Sequence, residues 1–292
     1  MGDNKLYNAL LKSQEARRRS RNTTVDEPAI DTDEYIRRPV EGSDPRKPGS
    51  VHVDMDDGGY PPTIYDASVS LELIDNPKPW RMDQLRERKI IFPGMSNKSV
   101  MDAYRELRIQ LRNQSGGQRS TILYSSLGNG ECSALTAFNL AAAFALDSGT
   151  SALLIDCNPY GSDLQHLVSS KMDKGITDYV QDSSLAVSDI LYPSGIDRLT
   201  VIPAGTQVAS AVELYASTRM RDLLAELQNR YMDRCIILNA PPFRESTESR
   251  ILVRFANQVV FGVPFGCVTQ EDIVDSVESL GSNKFSGVVF QE

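Results

Sequence analysis

The chain has 292 residues, 40% of them hydrophobic and 24% charged, with a formal net charge of −8. That balance excludes a general nucleic-acid surface, which needs an excess of cations to neutralise phosphates, and the length leaves material for one large domain or two small ones. No run reaches the roughly 18 apolar residues of a membrane span and no apolar signal core opens the chain; with Cys132, Cys157, Cys235 and Cys267 far apart and only His52 and His166 as imidazoles, no zinc site is expected, and a cytoplasmic protein with reduced thiols is.

Residues 1–19 are read as an amphipathic N-terminal helix, with Leu6, Tyr7, Leu10 and Leu11 at helical spacing before Arg17, Arg18 and Arg19. A free helix, a partner-docking helix and a membrane-surface helix all fit that pattern. Residues 20–98 are rich in Pro, Asp, Arg and Gly, lack sustained periodicity, and read as a low-order linker. Within them, Ala67 to Ile74 and Lys89 to Phe92 are candidates for local strands or docking segments.

From residue 99 to 292 the pattern becomes regular. Helices are predicted over Ser99 to Asn113, Leu135 to Leu146, Ser217 to Tyr231, Ser249 to Ala256 and Gln270 to Leu280, with short turns over Asp163 to Val168 and Ile176 to Gln181. Buried strands are predicted over Thr121 to Tyr124, Ser151 to Ile155, Leu199 to Ile202, Cys235 to Leu238, Gln258 to Val263 and Ser286 to Phe290. Short apolar strands alternating with helices imply an α/β fold, a doubly wound, mostly parallel sheet of the P-loop NTPase type.

Ligands of such sheets bind at the carboxyl ends of the strands, most often in the loop after the first one. Here that loop runs from Ser125 through Gly128, Asn129, Gly130, Glu131, Cys132 and Ser133 to Ala134. It has the strand–glycine–helix context of a phosphate loop but neither its lysine nor its Mg²⁺-binding hydroxyl. No Lys or Arg occurs between Arg119 and Lys171, whereas Glu131, Asp147, Asp156 and Asp163 do. A triphosphate carries about four negative charges, so helix-end amides alone would leave its affinity short by several kcal/mol.

The segment from about residue 97 to 291 resembles the cytoplasmic catalytic domain of the bacterial tyrosine kinases of capsule and exopolysaccharide export, deviant-Walker relatives of the MinD/ParA ATPases. Ala137-Phe138-Asn139-Leu140-Ala141 matches the family's A-x-N-L-A helix and sets the register. On that register Cys132 stands for a glycine, Ser133 for the lysine and Ala134 for the Mg²⁺-binding serine of the first motif. In the second motif Asp156 is kept and Asn158 replaces an aspartate; in the third, Asn239 replaces the aspartate that helps position Mg²⁺. Ile202-Pro203-Ala204-Gly205, Glu213-Leu214, Arg219 to Leu224 and Gly287-Val288-Val289 match further family landmarks.

Alternative readings stand beside each residue. Asp156 caps the following turn or keeps a residual catalytic role, and Asn239 makes local backbone hydrogen bonds. Ser133 is a helix N-terminal residue, with no histidine nearby in sequence to activate it as a nucleophile. Cys132 at a helix N-terminus is a small packed thiol or a reactive one. Asp102, Arg105 and Arg108 resemble the family's E-x-x-R-x-x-R inter-subunit segment, and their spacing places three charges on one helical stripe.

The resemblance, with its losses confined to the site, implies a non-catalytic, pseudokinase-type scaffold or regulator. No nucleotide cofactor is expected, ATP and Mg²⁺ binding being lost or weak. The implied partners are a membrane chain-length regulator, an active kinase paralogue or a homo-oligomer of the chain itself, at the inner face of the cell membrane. A weakly active ATP-dependent tyrosine kinase or ATPase, and a MinD/ParA-like positioning protein, are the alternatives.

Overall fold

A computed structural model describes residues 78–118, 120–128, 133–161, 163–230, 234–281 and 283–291. The N-terminal helix expected over 1–19 and the segment 67–74 lie outside the described residues. Helix α1 spans Met82–Glu87, α2 Lys98–Gln114, β1 Thr121–Ser126, α3 Ser133–Ala145, β2 Ser151–Asp156, α4 Leu164–Leu167 and α5 Ile176–Gln181. Strands β3 (Tyr192–Pro193) and β4 (Leu199–Ile202) precede α6 (Val212–Ala216), α7 (Thr218–Arg230) and β5 (Arg234–Ala240). Helix α8 (Thr247–Leu252), β6 (Gln258–Pro264), α9 (Gln270–Leu280) and β7 (Phe285–Gln291) complete the order.

The strands form one sheet in the order β3-β4-β2-β5-β1-β6-β7. Every pairing is parallel except β3 with β4. All six residues of β1 and of β2 are buried, because helices cover both faces and leave no solvated side for polar alternation. Neighbouring residues therefore enter opposite cores: Ile122 and Tyr124 join one cluster and Leu123 the other. On the first face α3 is buried over nearly its whole circumference. Its run of alanines lets it sit against the sheet while α2 and the lead-in segment pack over it. On the second face α7 contributes Met220, Leu223, Leu224 and Leu227, each no more than 1% exposed, at about 1.5–3 kcal/mol per side chain removed from water.

The domain boundary expected at residues 98 and 99 lies further toward the N-terminus. Helix α1 forms inside the segment read as linker, and Leu85, Ile90, Ile91 and Phe92 are buried in the first-face core. Asn139 of α3 clamps this lead-in, its side chain accepting from the Ile91 amide at 3.0 Å and donating to the Lys89 carbonyl at 3.0 Å. Composition hid this because the anchoring residues are few and sit between charged ones. Strand β3 and helix α6 also went unforeseen, since two and five residues carry too little periodicity. Among the described residues no helix is long and apolar enough to cross a membrane.

Candidate functional site

Strands β1, β2 and β5 lie side by side, and their carboxyl ends bring Ser126, Asp156 and Asn239 together. Helix α3 starts at the same end, so Ser133 closes the group. The Ser133 hydroxyl donates to Asn239 Oδ1 at 2.7 Å, and Asn239 Nδ2 donates to Asp156 Oδ1 at 2.9 Å. The same Asp156 oxygen accepts from the Asn158 amide at 3.1 Å. Ser133, Asn239 and Asp156 are 3%, 1% and 1% exposed. Three of the sequence-derived site residues thus meet in one buried chain of hydrogen bonds.

The electrostatic logic of that chain rests on Asn239. A carboxylate in its place would face Asp156 across the same gap, and two like charges about 4 Å apart repel by roughly 4 kcal/mol at an effective dielectric of 20. An amide removes the charge and presents one donor and one acceptor, which are the complements of Asp156 and Ser133. Positions 133 and 239 are therefore coupled: with no ammonium at 133, a neutral group at 239 gives Asp156 Oδ1 a donor without adding a second charge.

The remaining loop residues divide. Gly130, Glu131 and Cys132 lie outside the described residues. Gly128 donates its amide to Ser126 Oγ at 3.1 Å, and a Cβ there would come within 2.9 Å of Pro264 Cγ, so this glycine serves close packing against the end of β6. Ala134 is buried in the first-face core. Asn158 turns away from Asn239 and donates to the Gly161 carbonyl at 3.0 Å, making a local turn. Beyond it, Tyr160 hydrogen-bonds the Glu248 carboxylate, which Ser246 also contacts at 2.8 Å. Burial raises the Glu248 pKa, but these bonds outweigh it and hold the group below its usual range.

Cys157, just past Asp156, is fully enclosed; burial, then the neighbouring Asp156 charge, push its thiol well up. Its carbonyl accepts from the Tyr215 hydroxyl at 3.0 Å. A cleft of about 250 Å³ opens beside Asp156 and Asn158 and is lined also by Gln165, Asp173, Lys174 and Thr206. Lys174 is offset there by Asp173 and Asp156, so the cleft has no excess of positive charge.

The Ile202–Gly205 segment and Arg219, singled out in the sequence, have structural roles that their positions did not reveal. A Cβ at Gly175 would lie 2.2 Å from the Pro203 carbonyl oxygen, and Ile176 and Thr177 donate to Pro203 and Ala204 at 3.0 and 2.9 Å. The Ile202-Pro203-Ala204-Gly205 segment thus holds the start of α5. Arg219 holds its end, stacking on Tyr179 at 4.2 Å and donating to the carbonyls of Tyr179, Asp182 and Leu185.

Of the three residues expected to form an inter-subunit stripe, two pair with each other and one turns inward. Arg105 bonds Asp102 at 3.1 Å on the exposed face of α2. Arg108 donates to the Ala143 carbonyl near the end of α3 at 3.0 Å, so it ties α2 to α3 within the chain.

A parallel sheet with its glycine-containing loop at the first strand end defines a P-loop-type α/β domain. No family model matches the chain, and no curated protein matches it in sequence. Solved structures do. The kinase domain of the Escherichia coli tyrosine kinase ETK aligns over 73% of this chain and 88% of its own, at TM-score 0.62 and 20% identity. The BceF tyrosine kinase domain aligns over 73% and 90%, at 0.59 and 23%. The chimerical protein CapA2B2 aligns over 73% and 91%, at 0.61 and 19%. The chain therefore has the fold of the bacterial tyrosine kinase domains.

Proposed function

We propose that this protein is a non-catalytic, pseudokinase-type scaffold or regulator in exopolysaccharide or capsule synthesis and export. The observation that carries the reading is the buried Ser133–Asn239–Asp156 chain. It occupies the place where the fold's kinases need a lysine and a metal-binding carboxylate pair, with two neutral side chains and one carboxylate linked by hydrogen bonds. A magnesium–nucleotide group does not fit these residues. A polyphosphate would find no cation at 133, and a divalent ion would find a single carboxylate, Asp156, whose Oδ1 already accepts from two amides.

The scaffold contacts point the same way. The landmarks kept from the kinase pattern, Gly205 and Arg219 among them, hold α5 and its neighbouring loop, whereas the departures fall at the strand ends. Such a domain acts by binding: to a membrane chain-length regulator, to an active kinase paralogue, or to further copies of itself, and through them at the inner face of the membrane.

Calorimetric titration of the full chain with ATP and ADP, with and without Mg²⁺, tests this. The expected result is no heat of binding up to millimolar nucleotide. Micromolar, Mg²⁺-dependent binding that is abolished by Asp156→Ala would overturn it and leave the weakly active kinase or ATPase reading, which rests on the retention of Asp156.

A further inference from the structure

The two edges of the sheet are built differently. Strand β3 is two residues long and contains Pro193, a blunted edge of the kind that resists pairing. Strand β7, the opposite edge, runs for seven residues, Phe-Ser-Gly-Val-Val-Phe-Gln, without a charge or a proline. Its one irregularity is a register shift near its start, opposite Val259 and Val260. Beside it stand the two most exposed aromatic side chains of the described residues, Phe265 at 83% and Phe290 at 70%. An uncharged edge of this length with two aromatics in water is an aggregation hazard unless something covers it.

The surroundings state what kind of cover fits. Helix α9 packs over the β6–β7 end of the sheet through Ile273 and Val277. Val288 packs into the same second-face core, so Phe290, two residues on, stands on the α9 face. The outer side of α9 carries Glu271, Asp275 and Glu278, all exposed and at i, i+4, i+7 spacing. Arg244 pairs with Asp272, outside that stripe. A second copy of β7 would bring two such acidic stripes together, which like-charge repulsion disfavours. A basic segment with an apolar stripe is the complementary partner.

We infer that residues 5–21 of this same chain cover the β7 edge. They carry Lys5, Lys12, Arg17, Arg18, Arg19 and Arg21 against a single acid, Glu15, with Leu6, Tyr7, Leu10 and Leu11 as the apolar set. The apolar set meets Phe265 and Phe290, and the cations meet the α9 stripe. Reach is sufficient. The described chain begins beside the opposite edge, where the Trp80 amide donates to the Gly195 carbonyl at 2.9 Å. Six strand spacings of about 4.8 Å put β7 about 29 Å away. Residues 22–77 supply 56 linking residues, and a chain of that length can reach up to roughly 180 Å. Residues 67–74 are a poorer occupant, because Asp66, Glu72 and Asp75 repeat the charge of α9.

Two measurements on the full chain test the assignment. Carbodiimide coupling, which joins a lysine amine to a touching carboxylate, is expected to link Lys5 or Lys12 to the α9 peptide within one molecule. Hydrogen exchange across 285–291 is expected to quicken at least tenfold in Leu6→Glu/Leu10→Glu and to respond in the same way to Phe290→Ser. Unchanged exchange in the N-terminal variant, with no cross-link, overturns the inference. Cross-links found only between isotopically mixed copies overturn it in favour of a second molecule. Protection of residues 5–21 only on phosphatidylglycerol vesicles, with β7 unaffected, overturns it in favour of a lipid surface. None of these outcomes depends on nucleotide binding, so the test stands apart from the pseudokinase reading.

Discussion

The side-chain amide of Asn239 donates to the carboxylate of Asp156 at 2.9 Å while its oxygen accepts from Ser133 at 2.7 Å. One neutral amide thus bridges a hydroxyl and a carboxylate at a position where a second acid would face Asp156 with like charge.

This coupling predicts non-additive mutations. Asn239→Asp alone places a second carboxylate beside Asp156 and is expected to destabilise the domain by about 2–4 kcal/mol at pH 7. Ser133→Lys alone loses the hydrogen bond to Asn239 and crowds a buried site. The double variant Ser133→Lys/Asn239→Asp sets a cation beside the two acids and should recover at least about 1 kcal/mol relative to the sum of the singles. Urea unfolding of the four proteins measures this, and strict additivity would count against the coupling.

The lead-in segment is expected to be part of the folding unit. Asn139→Ala leaves the Ile91 amide and the Lys89 carbonyl without their partner, at a cost of about 1–3 kcal/mol. Asn139→Asp keeps the acceptor and loses the donor, so it should rescue only part of that loss. A melting curve of each variant decides; an unperturbed Asn139→Ala midpoint would mean that the clamp is dispensable.

Arg219 is expected to resist conservative replacement. Its guanidinium spreads over three carbonyls and the Tyr179 ring, a geometry that a lysine ammonium cannot reproduce. Both Arg219→Ala and Arg219→Lys should therefore lower stability, by about 1–3 kcal/mol. Protease susceptibility at residues 181–186 should rise with them, since that turn loses its anchor.

Asp178 predicts a pH dependence. Burial raises its pKa, but bonds from the Thr206 hydroxyl and from the amides of Gly175 and Thr206 more than offset that and hold it below the ordinary 3.8. A folded pKa below the unfolded one means stability that is fully present above pH 3.8 and lost as pH falls through the folded value. Asp178→Asn should lower the melting temperature at pH 7 and shrink its fall between about pH 4 and about pH 2. An identical acid profile in the variant would assign that fall to other carboxylates, such as Asp272.

The fold was legible because each of its principal strands is a short apolar run set between amphipathic or alanine-rich helices. The observed parallel sheet keeps every strand predicted from residue 121 onward, within one or two residues at most ends. The lead-in was not legible. Ile90, Ile91 and Phe92 are three apolar residues among charged ones, and only α3 and its Asn139 turn them into core. Strand β3 became visible only through its antiparallel partner.

At the site, the sequence by itself determined which groups stand at the strand ends, since chemical identity and chain order need no coordinates: a serine at 133, an asparagine at 239 and an aspartate at 156. Tertiary structure alone decided that these three touch, because β1, β2 and β5 are neighbours in the sheet and not in the chain. It also decided that Arg108 turns inward to α3 while Arg105 pairs with Asp102, a difference that helical spacing cannot express. Hydrogen-bond partners depend on distances across the fold, and those are set by the packing of helices on the sheet.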